Sequence, residues 1–114
     1  MVVYGIKNCD TVKKALNWLD ENKVKYEFHD FKKLSISEDK LKDWSDKVGY
    51  EALLNKKGTT WKKLDKEVQD SITSASAAFT LMQDKTSVIK RPVLEKDGKI
   101  VLGFNPDSLQ ELLK

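Results

Sequence analysis

The stretch Val2-Val3-Tyr4-Gly5-Ile6-Lys7-Asn8-Cys9-Asp10-Thr11-Val12-Lys13-Lys14-Ala15-Leu16-Asn17-Trp18-Leu19 changes its hydrophobic period part-way along, and that change decides the fold. Residues 2–6 form an apolar run rich in β-formers, the pattern of a buried strand. From residue 12 onward apolar side chains recur at 12, 15, 16 and 19, the i, i+3, i+4, i+7 spacing of an amphipathic helix. Cys9, the only cysteine, falls in the polar turn between the two, at or near the helix N-terminus. Unpaired N–H groups and the positive end of the helix dipole stabilise a thiolate there. Lys7 adds a positive charge nearby. Free cysteines are often small buried hydrophobes. The polar neighbours Asn8, Asp10 and Thr11 argue against that here and for a reactive thiol.

Working outward, Val24-Lys25-Tyr26-Glu27-Phe28-His29-Asp30-Phe31 alternates apolar and polar residues up to Phe28, which predicts a second strand. Strand, helix and strand in such close succession make a βαβ unit, with parallel pairing and a right-handed crossover. Near the other end, Pro92-Val93-Leu94-Glu95 and Lys99-Ile100-Val101-Leu102-Gly103 flank Asp97-Gly98, a strong hairpin signal. Asn105 then reads as the N-cap of a last helix, with Pro106 in its first turn and Leu109, Leu112 and Leu113 on its buried face. Helix signals fill the middle. Ser37 caps a helix with Glu38 and Asp39 in its first turn, Leu41, Trp44 and Val48 on one face, and Gly49 at its end. A short helix over residues 50–55 stops before Gly58, and residues 65–84 hold one or two more. The low-bulk stretch over residues 71–78 carries the weakest helix signal.

A parallel βαβ half joined to an antiparallel ββα half is the thioredoxin-like arrangement. The chain is therefore expected to be α/β with a mixed four-stranded sheet. Its core is expected over about residues 1–32 and 89–114, with an inserted all-helical subdomain over about 33–88. In such a fold the reactive thiol sits at the N-terminus of the first helix, where Cys9 falls.

Composition narrows the function. A net charge of +3 with both signs interspersed gives no nucleic-acid or membrane footprint. The densest basic region, Lys56-Lys57-Gly58-Thr59-Thr60-Trp61-Lys62-Lys63, reads as a solvated loop face. One cysteine excludes an intramolecular disulfide and falls short of a four-ligand zinc site. No apolar run approaches the roughly 20 residues of a membrane span, and Met1 leads straight into a strand pattern. A cytoplasmic protein with a reduced thiol is expected, most simply one domain.

Arg91-Pro92 is the second chemical feature. Proline at the start of a strand loses no interior ladder bond. In a thioredoxin-like fold the proline there is a cis-proline facing the thiol, which would aim the donor fork of Arg91 at Cys9. His29, the only histidine, lies late in the second strand and reads as structural, as does Asp30. Trp18, Trp44 and Trp61 fall at helical or loop-anchor positions and read as packing residues rather than base-stacking platforms.

Three blocks carry a resemblance: residues 5–15 around Cys9, Asn55-Lys56-Lys57-Gly58-Thr59-Thr60-Trp61, and Ile89-Lys90-Arg91-Pro92-Val93-Leu94. In this order, with Gly103-Phe104-Asn105 following, the chain resembles the YffB-like branch of the ArsC/Spx family over essentially its whole length. The resemblance implies a single ArsC-like domain over residues 1–114, a thioredoxin-like fold with a helical insertion, and a single catalytic cysteine beside an Arg-Pro pair. It also implies a glutathione-dependent thiol reductase activity, with glutathione as co-substrate and neither metal nor nucleotide. Glutaredoxin-dependent arsenate reductases of the family hold the oxyanion with three arginines. Arg91 matches one, while Asn55 and Phe104 or Asn105 stand where the others belong, which disfavours arsenate reduction. Spx regulators carry a Cys-x-x-Cys switch and contact RNA polymerase. Here Val12 stands at the second position, so binding to the polymerase α subunit is the weaker alternative. The expected chemistry is a redox cycle at Cys9 assisted by Arg91. Lys7, Asn8, Thr11, Pro92 and Asn105 are expected to line the site for glutathione, small thiols or mixed disulfides. No nucleic acid or membrane partner is expected, and a monomer is.

Overall fold

A computed structural model describes residues 1–114. In chain order the elements are β1 (Val2–Gly5), α1 (Asp10–Glu21), β2 (Glu27–Asp30), α2 (Phe31–Leu34), α3 (Glu38–Val48), α4 (Tyr50–Leu53), α5 (Thr59–Lys62), α6 (Lys66–Ser71), α7 (Ala75–Asp84), a 3-10 turn (Thr86–Val88), β3 (Val93–Lys96), β4 (Lys99–Leu102) and α8 (Pro106–Leu113). The chain packs as two units, Met1–Leu34 with Arg91–Lys114, and Ser35–Lys90.

The first unit carries the sheet, in the order β2-β1-β3-β4. β1 runs parallel to β2 and antiparallel to β3, which forms an antiparallel hairpin with β4. This is the mixed α/β sheet of the thioredoxin-like fold that the change of period predicts. The hairpin turns at Asp97 and Gly98, with φ of 52° and 78°. Two successive positive φ values match the right-handed twist of the flanking strands. Val3 pairs with Leu94 in register, and both pack with Leu19 of α1 and Leu109 and Leu112 of α8. Tyr4 points to the opposite face, where its ring packs against His29, tilted at 4.9 Å between centroids, and Phe31, at 6.3 Å.

β2 is shorter than its alternating stretch. Asn22 ends α1 by donating from Nδ2 to the Trp18 carbonyl at 2.8 Å, and Lys23 adopts a φ of 57°. Residues 24–26 therefore form the connection, not strand. At the other end Asp30 Oδ1 accepts the Lys32 N–H at 2.9 Å, which turns Phe31 out of the strand and into α2.

In the second unit Ser37 Oγ accepts the Lys40 N–H at 3.2 Å and starts α3, while Gly49, at a φ of 85°, ends it. Leu41 and Trp44 are fully buried. Val48, expected on the same face, is 38% exposed, because it is the last residue before the chain turns away at Gly49. Ser74 caps α7, whose Ala78, Phe79, Leu81 and Met82 are buried, so the low-bulk stretch resolves into a break and then a packed helix. The Lys-rich stretch is not wholly loop. Thr59–Lys62 forms the helical turn α5, with the Trp61 carbonyl accepting Gln69 Nε2 at 2.8 Å and Lys56 above the Trp61 ring. One antiparallel bridge, Leu54 to Ile89, ties the residue after α4 to the last residues of this otherwise helical unit. No helix is long and apolar enough to cross a membrane.

Candidate active site

From Val3 to Ile6 the chain is buried as β1 leads into the turn, after which Lys7 and Asn8 emerge into solvent. Cys9 follows as the N-cap residue of α1, with extended φ and ψ of −128° and 121° and a partly exposed side chain. Its carbonyl accepts the Lys13 N–H at 2.9 Å, the first bond of the helix. What fixes the turn is packing one step further on. Gly5 lies so close beneath Val12 that a Cβ there would stand 2.8 Å from Val12 Cγ2. Val12 and Ala15 are fully buried, so α1 sits low on β1 and its first turn is held in place.

Cap positions ordinarily carry Ser, Thr, Asp or Asn, whose oxygen takes up the second or third N–H of the helix. Cys9 makes no such cap hydrogen bond, so those donors are left to face its sulfur. Burial pushes the thiol pKa up. The Val12 N–H, the hydrogen bond and charge of Arg91, and the Thr11 N–H together outweigh it, and the net effect holds the thiol below its ordinary value. The structure thus brings Cys9 and Arg91 together. Arg91 is partly buried, with Nε out of solvent, and it is the only arginine in the sequence. A cis peptide bond joins it to the buried Pro92. Pro92 in turn anchors the hairpin, its carbonyl accepting the Gly103 N–H at 2.8 Å.

The remaining residues singled out from sequence fall into three groups. Lys7, Asn8 and Thr11 are exposed on the turn that holds the sulfur. His29 lies in the aromatic cluster with Tyr4 and Phe31, at 4.9 and 6.0 Å between ring centroids, which gives it a packing task. Asn105 caps α8, with Oδ1 accepting the N–H groups of Asp107 at 2.9 Å and Ser108 at 3.3 Å, so the bonds of its acceptor all lie in that first turn. Val12 matters to the sulfur through its backbone, which the apolar pattern conceals. The signal that points to it is its place three residues after the cap. No group of three or more His, Cys, Asp or Glu side chains is placed to hold a metal ion.

The ArsC family model matches residues 4–112. The solved structure of the YffB protein is 47% identical with a TM-score of 0.92, the match covering 99% of this chain and 98% of that one. The solution structure of an arsenate reductase (ArsC) related protein from Brucella melitensis is 44% identical, with a TM-score of 0.76 and coverage of 99% and 93%. The global transcriptional regulator Spx of Streptococcus mutans is 25% identical over 109 residues, spanning 93% of this chain and 77% of its own.

Proposed function

The chain belongs to the ArsC family, and from that premise we propose that it is a glutathione-dependent thiol–disulfide oxidoreductase working through Cys9 alone. The observation that carries this reading is a thiol held low by the α1 N-terminus and Arg91 in a chain with no second cysteine. The Cys9 thiolate attacks the glutathionyl sulfur of a mixed disulfide. A Cys9–glutathione disulfide forms, and the substrate thiol leaves as thiolate and takes a proton from water. A glutathione thiolate from solution then attacks the adduct, releasing glutathione disulfide and restoring Cys9. Overall the mixed disulfide and one free glutathione thiol become the substrate thiol and glutathione disulfide; one disulfide is exchanged for another, and no other reductant is needed.

Arg91 stabilises the thiolate and offers a two-pronged contact to a glutathione carboxylate. Lys7, Asn8, Thr11 and Pro92 line the turn for the tripeptide, and Asn105 presents its amide group at the N-terminus of α8. The chemistry suits the cytoplasm, where glutathione keeps thiols reduced. The test follows glutathione disulfide release from a glutathionyl peptide while glutathione is titrated and backbone amides are observed. Turnover that needs free glutathione, with shifts at residues 8–12 and 91–92, is expected. Absence of both would overturn the proposal.

The likeness to Spx favours a second reading, a regulator that binds RNA polymerase through its α subunit. Tight binding of the isolated α C-terminal domain, together with no amide shift on adding glutathione, would select it.

A further inference from the structure

Within the first unit a cavity of about 370 Å³ opens beside the reactive turn, lined by Lys7, Phe28, Asp30, Lys33 and Leu34. That is the small end of ligand-site volumes, which run from about 300 to 1,000 Å³. Lys7 stands two residues before Cys9, so the cavity begins where the turn of the thiol begins. Its charge is cationic in balance. The single carboxylate, Asp30, is buried and already accepts the Lys32 N–H at 2.9 Å, whereas both lysines are exposed. Its wall is apolar. Phe28 is partly buried and Leu34, at 64%, is the most exposed large apolar side chain of the protein. Glutathione is polar throughout and gains nothing from Leu34. A polypeptide carrying an acidic and an apolar residue complements both features.

We infer that this cavity docks the polypeptide half of the mixed disulfide and selects cysteines flanked by acidic and apolar residues. The inference rests on the reductase reading for the chemistry at Cys9 and adds the substrate class, glutathionylated proteins rather than small disulfides. Lys7 stands at the junction, with the glutathione half on the Arg91 side and the polypeptide half over Phe28 and Leu34.

The test uses the whole protein and a short peptide of Glu and Leu residues around a serine that replaces the cysteine, with a Lys-for-Glu counterpart. Backbone amides are followed during each titration. The acidic peptide is expected to shift residues 7, 28, 30, 33 and 34 and to bind about three- to tenfold tighter than the basic one at low ionic strength. Added salt should shrink the difference. Lys33→Glu should erase or invert the preference, while Lys63→Glu, an equal charge change on an exposed residue of the other unit, should leave it. Equal affinity for the two peptides, shifts confined to other residues, or an equal effect of Lys63→Glu would overturn the inference. Because the serine peptide cannot react, lack of turnover of the matching glutathionyl peptide with binding intact counts against the reductase reading alone.

Discussion

At the scale of single residues the decisive pair is Cys9 and Arg91. Arg91 acts on the sulfur by hydrogen bond and by charge, both lowering the thiol pKa against the opposing effect of burial. Alkylation of Cys9 by iodoacetamide should therefore show a midpoint below the roughly 8.5 of an unperturbed thiol. Arg91→Ala should move that midpoint up. The two rate profiles should also cross. Near neutral pH the variant has less thiolate and reacts more slowly, whereas at high pH its more basic thiolate is the better nucleophile, with a Brønsted slope of about 0.4–0.5. Coincident profiles would remove Arg91 from the activation of the thiol. The same shift has a consequence for stability. A depressed pKa in the folded state favours folding above the unfolded thiol pKa of about 8.5, and the gain fades as pH falls through the folded value. The stability difference between the wild-type protein and Cys9→Ser should thus grow with pH across that window, as denaturant melts would show. The address of Cys9 was legible because a change from strand to helix period is local. Its meeting with Arg91 was not readable from spacing, since it depends on β3 pairing with β1 far along the chain; the thioredoxin-like reading of Arg91-Pro92 pointed to it, and the resemblance added to that.

At the scale of elements, the close seat of α1 on β1 is what presents the sulfur to the helix N–H groups. Gly5→Ala would place a methyl group 2.8 Å from Val12 Cγ2, and valine is stiff about χ1. Such overpacking costs about 1–3 kcal/mol and should lift the first turn of α1, raising the Cys9 pKa along with the loss of stability. Val12→Ala makes room for the new methyl. The double variant should therefore be more stable than the sum of the singles allows, by at least about 0.5 kcal/mol in a double-mutant cycle. Additive costs would show that the contact does not position the helix. A second test concerns α8. Asn105→Ala should lose about 1 kcal/mol as its cap is removed, while Asn105→Asp keeps the cap and the stability. If Asn105 also meets glutathione, the aspartate variant should raise the KM for glutathione by repelling its carboxylates. An unchanged KM would leave Asn105 a cap alone. Caps at Ser37, Ser74 and Asn105 are side-chain signals that sequence can display, and α3 and α8 were legible through them. The four-residue turns α2 and α5 were not. Asp30 diverts the strand by a single side-chain oxygen that accepts the Lys32 N–H, and α5 is supported from Gln69 ten residues after it begins, so neither leaves a period to read.

At the scale of the whole molecule, what matters is how few of the usual redox parts the chain contains. With one cysteine, oxidation by glutathione disulfide should add the mass of one glutathionyl group per chain, where a Cys-x-x-Cys protein would lose two hydrogens instead. The arginine count bears on arsenate in the same way. The oxyanion site of glutaredoxin-dependent arsenate reductases needs three arginines, and this chain has one, already engaged with Cys9. Lysines elsewhere do not substitute for a planar, two-pronged donor in a fixed place. Each missing charge-assisted hydrogen bond is worth about 1.5–3 kcal/mol, so two absent anchors weaken transition-state binding by at least about a hundredfold. With glutaredoxin and glutathione supplied, arsenite formation should stay near background while the same preparation reduces glutathionyl peptides. Arsenite release at a rate comparable with peptide reduction would mean that the lone Arg91 and the N-terminus of α1 suffice to hold the oxyanion. The division between oxyanion and disulfide chemistry would then have to be sought outside the arginines.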